Sequence, residues 1–246
     1  KIQKFKSIFG NTSISVSCIP SWAELNMRLN IDYLGNMVMI EMWGSEDDFL
    51  IILYKRIFDI ILSSLIIILT APALILISIV IKITSKGPII FLQNRYGLDS
   101  KKFKIYKFRT MYTLESGELK DLKQAQINDE RVTPIGKILR KWSLDELPQL
   151  FNVLLGTMSL VGPRPHAVSH NEKYRKLITG YMQRHSFKPG MTGLAQINDL
   201  RGGIENIIDM EKRIEADLLY QSKWDIFLDL SILINTILKF KSKKAY

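Results

Sequence analysis

Asp145 and Glu146 stand side by side between the basic pair Arg140-Lys141 and Pro148. Adjacent carboxylates can divide labour at a phosphate: one attacks phosphorus to give an acyl-phosphate, and the other holds a divalent cation. Such an attack sets anion against anion, so cations must first neutralise the phosphate. Two further clusters offer them. In Val161-Gly162-Pro163-Arg164-Pro165 two prolines stiffen the loop, and the Arg164 guanidinium can bind phosphate through two parallel hydrogen bonds. In Lys107-Phe108-Arg109-Thr110-Met111 an extended strand places Lys107 and Arg109 on one face, a two-cation surface suited to an anion. Each cluster also has a plain structural reading. Ser143 and Glu146 have capping-box spacing ahead of an apolar run, with Pro148 in an early helical turn. The proline-flanked arginine reads equally as a rigid connector, and the basic strand as an edge protected by charge. Both readings of the first cluster predict a helix N-terminus at the carboxylates, where unpaired amides attract phosphate.

The elements that must position these residues are of two textures. Twenty-two residues from Ile60 to Ile81 carry no charge, enough for one membrane-spanning helix. Pro72 interrupts them, and basic residues flank both ends: Lys55 and Arg56 before, Lys82 and Lys86 after. Positive charge prefers one side of a membrane, and neither end outbids the other. A helix that enters, breaks near Pro72 and returns satisfies both facts, with arms of roughly 18 and 14 Å against a hydrocarbon core of about 30 Å. A straight or kinked crossing helix stays open at this point. Beyond Gly87, Ile89–Gln93 and Phe103–Phe108 read as strands joined by a turn at Gly97-Leu98-Asp99-Ser100. Residues 113–130 are polar. Helical periodicity covers Ile135–Arg140, Leu147–Leu155, 166–184 and 204–222. The stretch Trp224–Phe240 ends in a lysine-rich tail and reads either as an interfacial amphipathic helix or as a core helix with a solvated tail.

The totals bound the partners. Thirty-four Lys and Arg against 24 Asp and Glu give a net charge of +10, which suits nucleic acid, an anionic membrane or phosphorylated substrates. The strongest basic clusters flank apolar segments, which favours a lipid-facing surface over nucleic acid. A single cysteine, Cys18, excludes an internal disulfide framework and a cysteine-based metal site. No P-loop or GxGxxG fingerprint occurs, and none of the three histidines has zinc-ligand spacing; His166 reads as a surface residue. Residues 1–50 carry no assignable motif and, opening on Lys1, read as the tail of an upstream domain.

The order of the pieces is more specific than any one of them. Lys55-Arg56, the Pro-broken apolar run, QNRYG at 93–97, KFRTM at 107–111, ILRKWSLDELPQL at 138–150 and SLVGPRP at 159–165 together resemble one family. These are the bacterial polyprenyl-phosphate hexose-1-phosphate transferases, monotopic phosphoglycosyl transferases that prime exopolysaccharide, capsule and O-antigen synthesis. The resemblance runs from about Lys55 to Tyr246. PRPHAVSHNEKY at 163–174 and the ending KKAY look most like the branch that moves glucose- or galactose-1-phosphate.

The resemblance implies an α+β, mostly helical fold: residues 51–86 as a re-entrant membrane helix-break-helix, and 87–246 as a small cytoplasmic catalytic domain with a short β-hairpin and amphipathic interfacial helices. It implies that Asp145 takes the sugar-phosphate from a UDP-hexose, releasing UMP, and passes it to undecaprenyl phosphate. Glu146 is the implied Mg²⁺ partner; Arg140 and Arg164 match basic positions near the nucleotide and phosphates, and Lys107 and Arg109, further candidate substrate-binding residues, lie in a matching basic strand. Lys55 and Arg56 match the interfacial start of the anchor and Pro72 its break. The implied place is the cytoplasmic face of the bacterial inner membrane, and a homodimer is compatible with the sequence. Ser100 and Asp199 stand where the family often has glycine. The rival reading is a non-enzymatic membrane-anchored protein whose basic surface binds lipids or a partner.

Overall fold

The computed structural model describes residues 16–18, 30–34, 37–43, 49–112, 129–200, 202 and 206–239. The polar stretch 113–128 and the tail lysines Lys241, Lys243 and Lys244 lie outside the described residues. Near the start, β1 (Val16–Cys18), β2 (Asn30–Leu34) and β3 (Met37–Trp43) form an antiparallel sheet in the order β1-β3-β2.

The apolar run forms α1 (Phe49–Thr84), one helical element that continues through Pro72 where the sequence predicts two arms separated by a break. Proline there removes the donor that would have met the Ile68 carbonyl, but the turns on either side keep their own bonds. Hydroxyls in its apolar run bond back to the helix: Thr70 donates to the Ile66 carbonyl and Ser78 to that of Leu74, each at 2.7 Å. Among the described residues it is the one helix long and apolar enough to cross a membrane. Ile68, Leu69 and Ile83 are 70%, 71% and 79% exposed, so within this chain the helix is not packed into a core and its apolar surface is open, as a membrane-associated helix requires.

Both ends of α1 are fastened to the same domain. At the first, Lys55 Nζ donates to Asp229 Oδ2 (2.5 Å) and to the Tyr220 hydroxyl (3.0 Å), and Arg56 donates to the carbonyls of Val153 and Leu154. Buried Asp59 accepts from Ser159 Oγ and from the Leu160 amide. At the other end, Ile81 packs with Phe108 and Leu139, and Arg109 donates to the carbonyls of Lys86 and Ser85. Lys55 and Arg56, expected at the membrane surface, thus hold the helix to protein.

The hairpin pairs β4 (Ile90–Tyr96) with β5 (Lys102–Phe108), in register from Ile90 opposite Phe108 to Tyr96 opposite Lys102. Its turn puts Asp99 and Ser100 at φ 52° and 58°, the left-handed region. Next come α2 (Pro134–Lys141), capped by Thr133 Oγ1 on the Gly136 amide, a 3₁₀ turn at Leu144–Glu146, and α3 (Gln149–Leu154). Asn152 of α3 acts as a piece of strand: its amide bonds the Tyr106 N–H and the Lys104 carbonyl of β5, setting the hairpin against the turn. Strands β6 (Ser159–Val161) and β7 (Gly190–Thr192) pair in parallel. Their approach is close enough that a Cβ at Gly190 would stand 2.1 Å from the Gly162 amide nitrogen.

The helix expected over 166–184 is shorter, α4 (Val168–Tyr174), and past a left-handed Gly180 (φ 80°) a separate 3₁₀ segment begins, Tyr181–Ser186. The remaining helices are α5 (Leu194–Ile197), α6 (Ile207–Ser222, capped by Asn206) and α7 (Ile226–Leu238, capped by Asp225). Helix α7 joins its two sequence readings. Asp229 and Ile232 face the core, while Phe227, Ile234 and Ile237 leave an apolar outer face.

Candidate active site

The site is built on a strained corner. Ser143 closes α2 in the left-handed conformation (φ 48°), uncommon for a residue with a side chain. That reversal sends Leu144 inward against Ile81, Phe108 and Leu139, at the end of the anchor helix, and leaves Asp145 and Glu146 partly exposed on the next turn. The capping box predicted by the spacing does not form: Ser143 makes no cap bond, and Glu146 reaches toward cations. The carboxylates also precede α3, so they occupy a 3₁₀ turn and not the N-terminus of an α-helix.

Glu146 Oε1 accepts from Lys107 Nζ at 2.7 Å and from one Arg164 nitrogen at 2.5 Å; Oε2 accepts from the other at 3.2 Å. Burial pushes this carboxyl upward, but Arg164 and Lys107 more than offset it and hold Glu146 well below the usual carboxylate range. Its neighbour responds in the opposite direction. Burial and the adjacent Glu146 charge push Asp145 up to about 6, against the pull of Lys107, Arg140 and Arg164. The two carboxyls therefore differ in kind: one is committed to ion pairs, and the other is a near-neutral base surrounded by cations.

The structure thus gathers Asp145, Glu146, Lys107, Arg140 and Arg164 in one place. Arg140 is steered by its Nε–H bond to Thr110 Oγ1 (2.9 Å). Arg109 is not among them. Strand β5 ends at Phe108, so its alternation does not carry to residue 109, whose guanidinium is buried under the end of α1. Lys55 and Arg56 tie α1 to the domain, and Pro72 lies within α1, away from this cluster. Arg184, Asp217 and Tyr181 lie behind the Arg164 loop and have no spacing in the sequence that could have pointed to them. His166, read as a surface residue, bonds Tyr181 and Arg184.

Among the described residues no group of three His, Cys, Asp or Glu side chains could hold a metal. The two adjacent carboxylates do fit Mg²⁺, which takes one or two protein carboxylates and fills its shell with water and substrate phosphate oxygens. Glu146 would have to release Lys107 or Arg164 to receive it.

A family model described as bacterial sugar transferase matches residues 50–243, most of the chain. The chain belongs to the bacterial sugar transferase family. It is 50% identical over its whole length to a UDP-glucose:undecaprenyl-phosphate glucose-1-phosphate transferase of Klebsiella pneumoniae, and 44% identical to one of Escherichia coli K12. It spans about half the length of these two relatives, 53% of each. A third relative of the same name, from Caulobacter vibrioides, is 42% identical over 92% of this chain and 89% of its own length. The bacterial sugar transferase match begins at the anchor helix and takes in every residue of the site.

Proposed function

We propose that this chain moves glucose-1-phosphate from UDP-glucose to undecaprenyl phosphate, with Asp145 as the nucleophile, as the first membrane step of a surface-polysaccharide pathway. The observation that carries the reading is the split of the dyad: Glu146 is neutralised by Lys107 and Arg164, while Asp145 is left with a carboxyl near 6 in the same cationic field. A carboxylate whose proton leaves just below neutral pH is both available and basic enough to attack phosphorus.

In the first half-reaction an Asp145 carboxylate oxygen attacks the phosphorus bearing the sugar. The bond from that phosphorus to the bridging oxygen breaks, and UMP leaves with the electron pair. In the second, a phosphate oxygen of the polyprenyl phosphate attacks the same phosphorus, the Asp145 ester breaks, and the polyprenyl diphosphate sugar is released. Lys107, Arg140 and Arg164 are positioned to bind the diphosphate and to screen its charge from the attacking oxygen. Mg²⁺, when bound beside Glu146 with the donor, adds further neutralisation of the diphosphate.

Membrane association follows from the exposed apolar surface of α1. Between Asp59 and Ser85 the helix spans about 39 Å if straight, more than a hydrocarbon core of about 30 Å. A straight crossing would leave its ends on opposite faces, yet both ends bond to one domain. A bent, re-entrant anchor agrees with this, and on the reading proposed the domain stands on the cytoplasmic face, where the UDP-sugar is. Glucose is preferred over galactose because the three relatives above carry UDP-glucose in their names. An Aeromonas hydrophila relative named for N-acetylgalactosamine, 40% identical over 183 residues, makes the sugar a matter for assay.

The test uses the purified chain in detergent with labelled UDP-glucose and Mg²⁺, without acceptor. A burst of UMP matched by covalent label is expected, and Asp145→Asn abolishes both. Full activity in that variant removes Asp145 from the mechanism, and a faster burst with another UDP-sugar reassigns the donor.

A further inference from the structure

Three segments of the fold meet at one buried guanidinium that the proposed chemistry does not use. Arg184, in the 3₁₀ segment after Gly180, has a side chain only 2% exposed. It pairs at 2.6 Å with Asp217 of α6, whose side chain is 3% exposed. One of its terminal nitrogens donates to the main-chain carbonyl of Arg164 at 2.7 Å, and the other lies 2.6 Å from His166 Nδ1. Its own carbonyl accepts from Gln221, one turn beyond Asp217 on α6. A guanidinium only donates, so Nδ1 of His166 is the lone-pair nitrogen and the ring is neutral with its proton on Nε2. The Tyr181 hydroxyl, 2.8 Å from the same nitrogen, completes the cluster.

A buried ion pair is a weak source of stability, because desolvation offsets most of the attraction. Direction is what it adds here. Two N–H bonds grip the loop on either side of Pro165, at the carbonyl of 164 and the ring of 166. From the other side, the Gly190 amide of β7 donates to the Pro163 carbonyl at 2.9 Å. The Arg164 side chain leaves the loop between these fixed points and reaches Glu146 with both terminal nitrogens.

We infer that Arg184, oriented by Asp217, is a positioning residue for the Arg164 loop: it fixes the main-chain carbonyl of 164 and the side chain of His166 so that the Arg164 guanidinium meets Glu146 and the donor diphosphate. The inference rests on the proposed reaction at Asp145. Arg184 touches no reacting group and acts through Arg164. Misplacing a phosphate-binding group by about 1 Å costs up to roughly a hundredfold in rate.

The test is a double-mutant cycle on the UMP burst, with the rate normalised by burst amplitude so that only folded, active protein is counted. The variants are Arg184→Lys, Arg164→Lys and the two combined. Alone, Arg184→Lys is expected to slow the burst about ten- to a hundredfold; in the Arg164→Lys background the same change costs less than about threefold, because its route of action is already gone. Losses that multiply in the double variant overturn the inference, since a merely structural role would act independently of Arg164. Should Arg184→Lys fail to fold, Asp217→Asn repeats the cycle from the far end of the pair, with the same two outcomes. A wild-type chain without a burst, or an Asp145→Asn variant that keeps one, instead sinks the underlying reaction.

Discussion

Burial and the adjacent Glu146 charge raise the Asp145 carboxyl to about 6, and for the proposed reaction this has two consequences of opposite sign. Attack by Asp145 as proposed needs the ionised form, so the burst rate should fall as pH drops through about 6, with a limb well above the ordinary aspartate value of 3.8; a stopped-flow pH profile reads this directly. Stability runs the other way. Between about 4 and 6 the folded chain holds a proton that the unfolded chain has released, so stability declines as pH rises through that window and stays lower above it. Asp145→Asn is therefore expected to be inactive yet more stable than wild type at pH 7.5 by roughly 1–3 kcal/mol, seen as a higher thermal midpoint. A variant no more stable than wild type would mean that the surrounding cations fully compensate the buried charge. The adjacent pair and its basic neighbours were visible in the sequence. Which carboxylate would be paired was not, because that depends on Lys107 arriving across the β5–α3 contact, 39 residues away in the chain.

Among the elements, turns and joints carry most of the testable content. Ser100 and Asp199, where the resemblance leads to an expectation of glycine, both sit at φ 58°. Left-handed backbone costs a residue with a Cβ on the order of 1 kcal/mol, a cost glycine avoids. Ser100→Gly should thus stabilise the hairpin by about 1 kcal/mol in a denaturant titration. Asp199→Gly should gain less, since Asp199 also lies 3.9 Å from Lys239. The joint between α1 and the domain has the opposite sensitivity. Lys55 meets Asp229 inside the protein, with side chains 13% and 1% exposed, and also bonds Tyr220. Lys55→Met leaves Asp229 buried without that cation and should destabilise the fold by about 3–5 kcal/mol, measured as a loss of thermal midpoint in detergent. A drop of only a few tenths would show the joint to be a surface contact. Helix starts at Thr133, Asn206 and Asp225 follow from their capping side chains and local spacing. The split of the expected 166–184 helix follows from Gly180 and the burial of Tyr181 and Arg184 around His166, which no local period announces.

At the scale of the molecule, the anchor and the domain form one unit: lipid-facing residues crowd the outside of α1 while its ends are tied down by Asp59, Arg56 and Arg109. With Cys18→Ser removing the native thiol, single cysteines placed at Leu50 and at Lys86 should react with an impermeant thiol reagent from the same side of sealed vesicles. Labelling of the two from opposite sides would establish a crossing helix. The outer face of α7, with Phe227, Ile234 and Ile237, is a second exposed apolar surface. Phe227→Asp is expected to weaken binding to liposomes several-fold while leaving the acceptor-free burst in detergent unchanged.

By itself the sequence revealed the long apolar segment, the adjacent carboxylates, most of the cations gathered round them and the approximate place of most helices and strands. Each depends on residue type and near-neighbour spacing, which composition and periodicity report directly. Only the tertiary structure decided that Glu146 is paired and Asp145 poised, that Arg109, Lys55 and Arg56 hold the anchor to the domain, and that Arg184 stands behind Arg164. Those outcomes depend on which distant side chains share a low-dielectric interior, and the distance along the chain between partners carries no information about that.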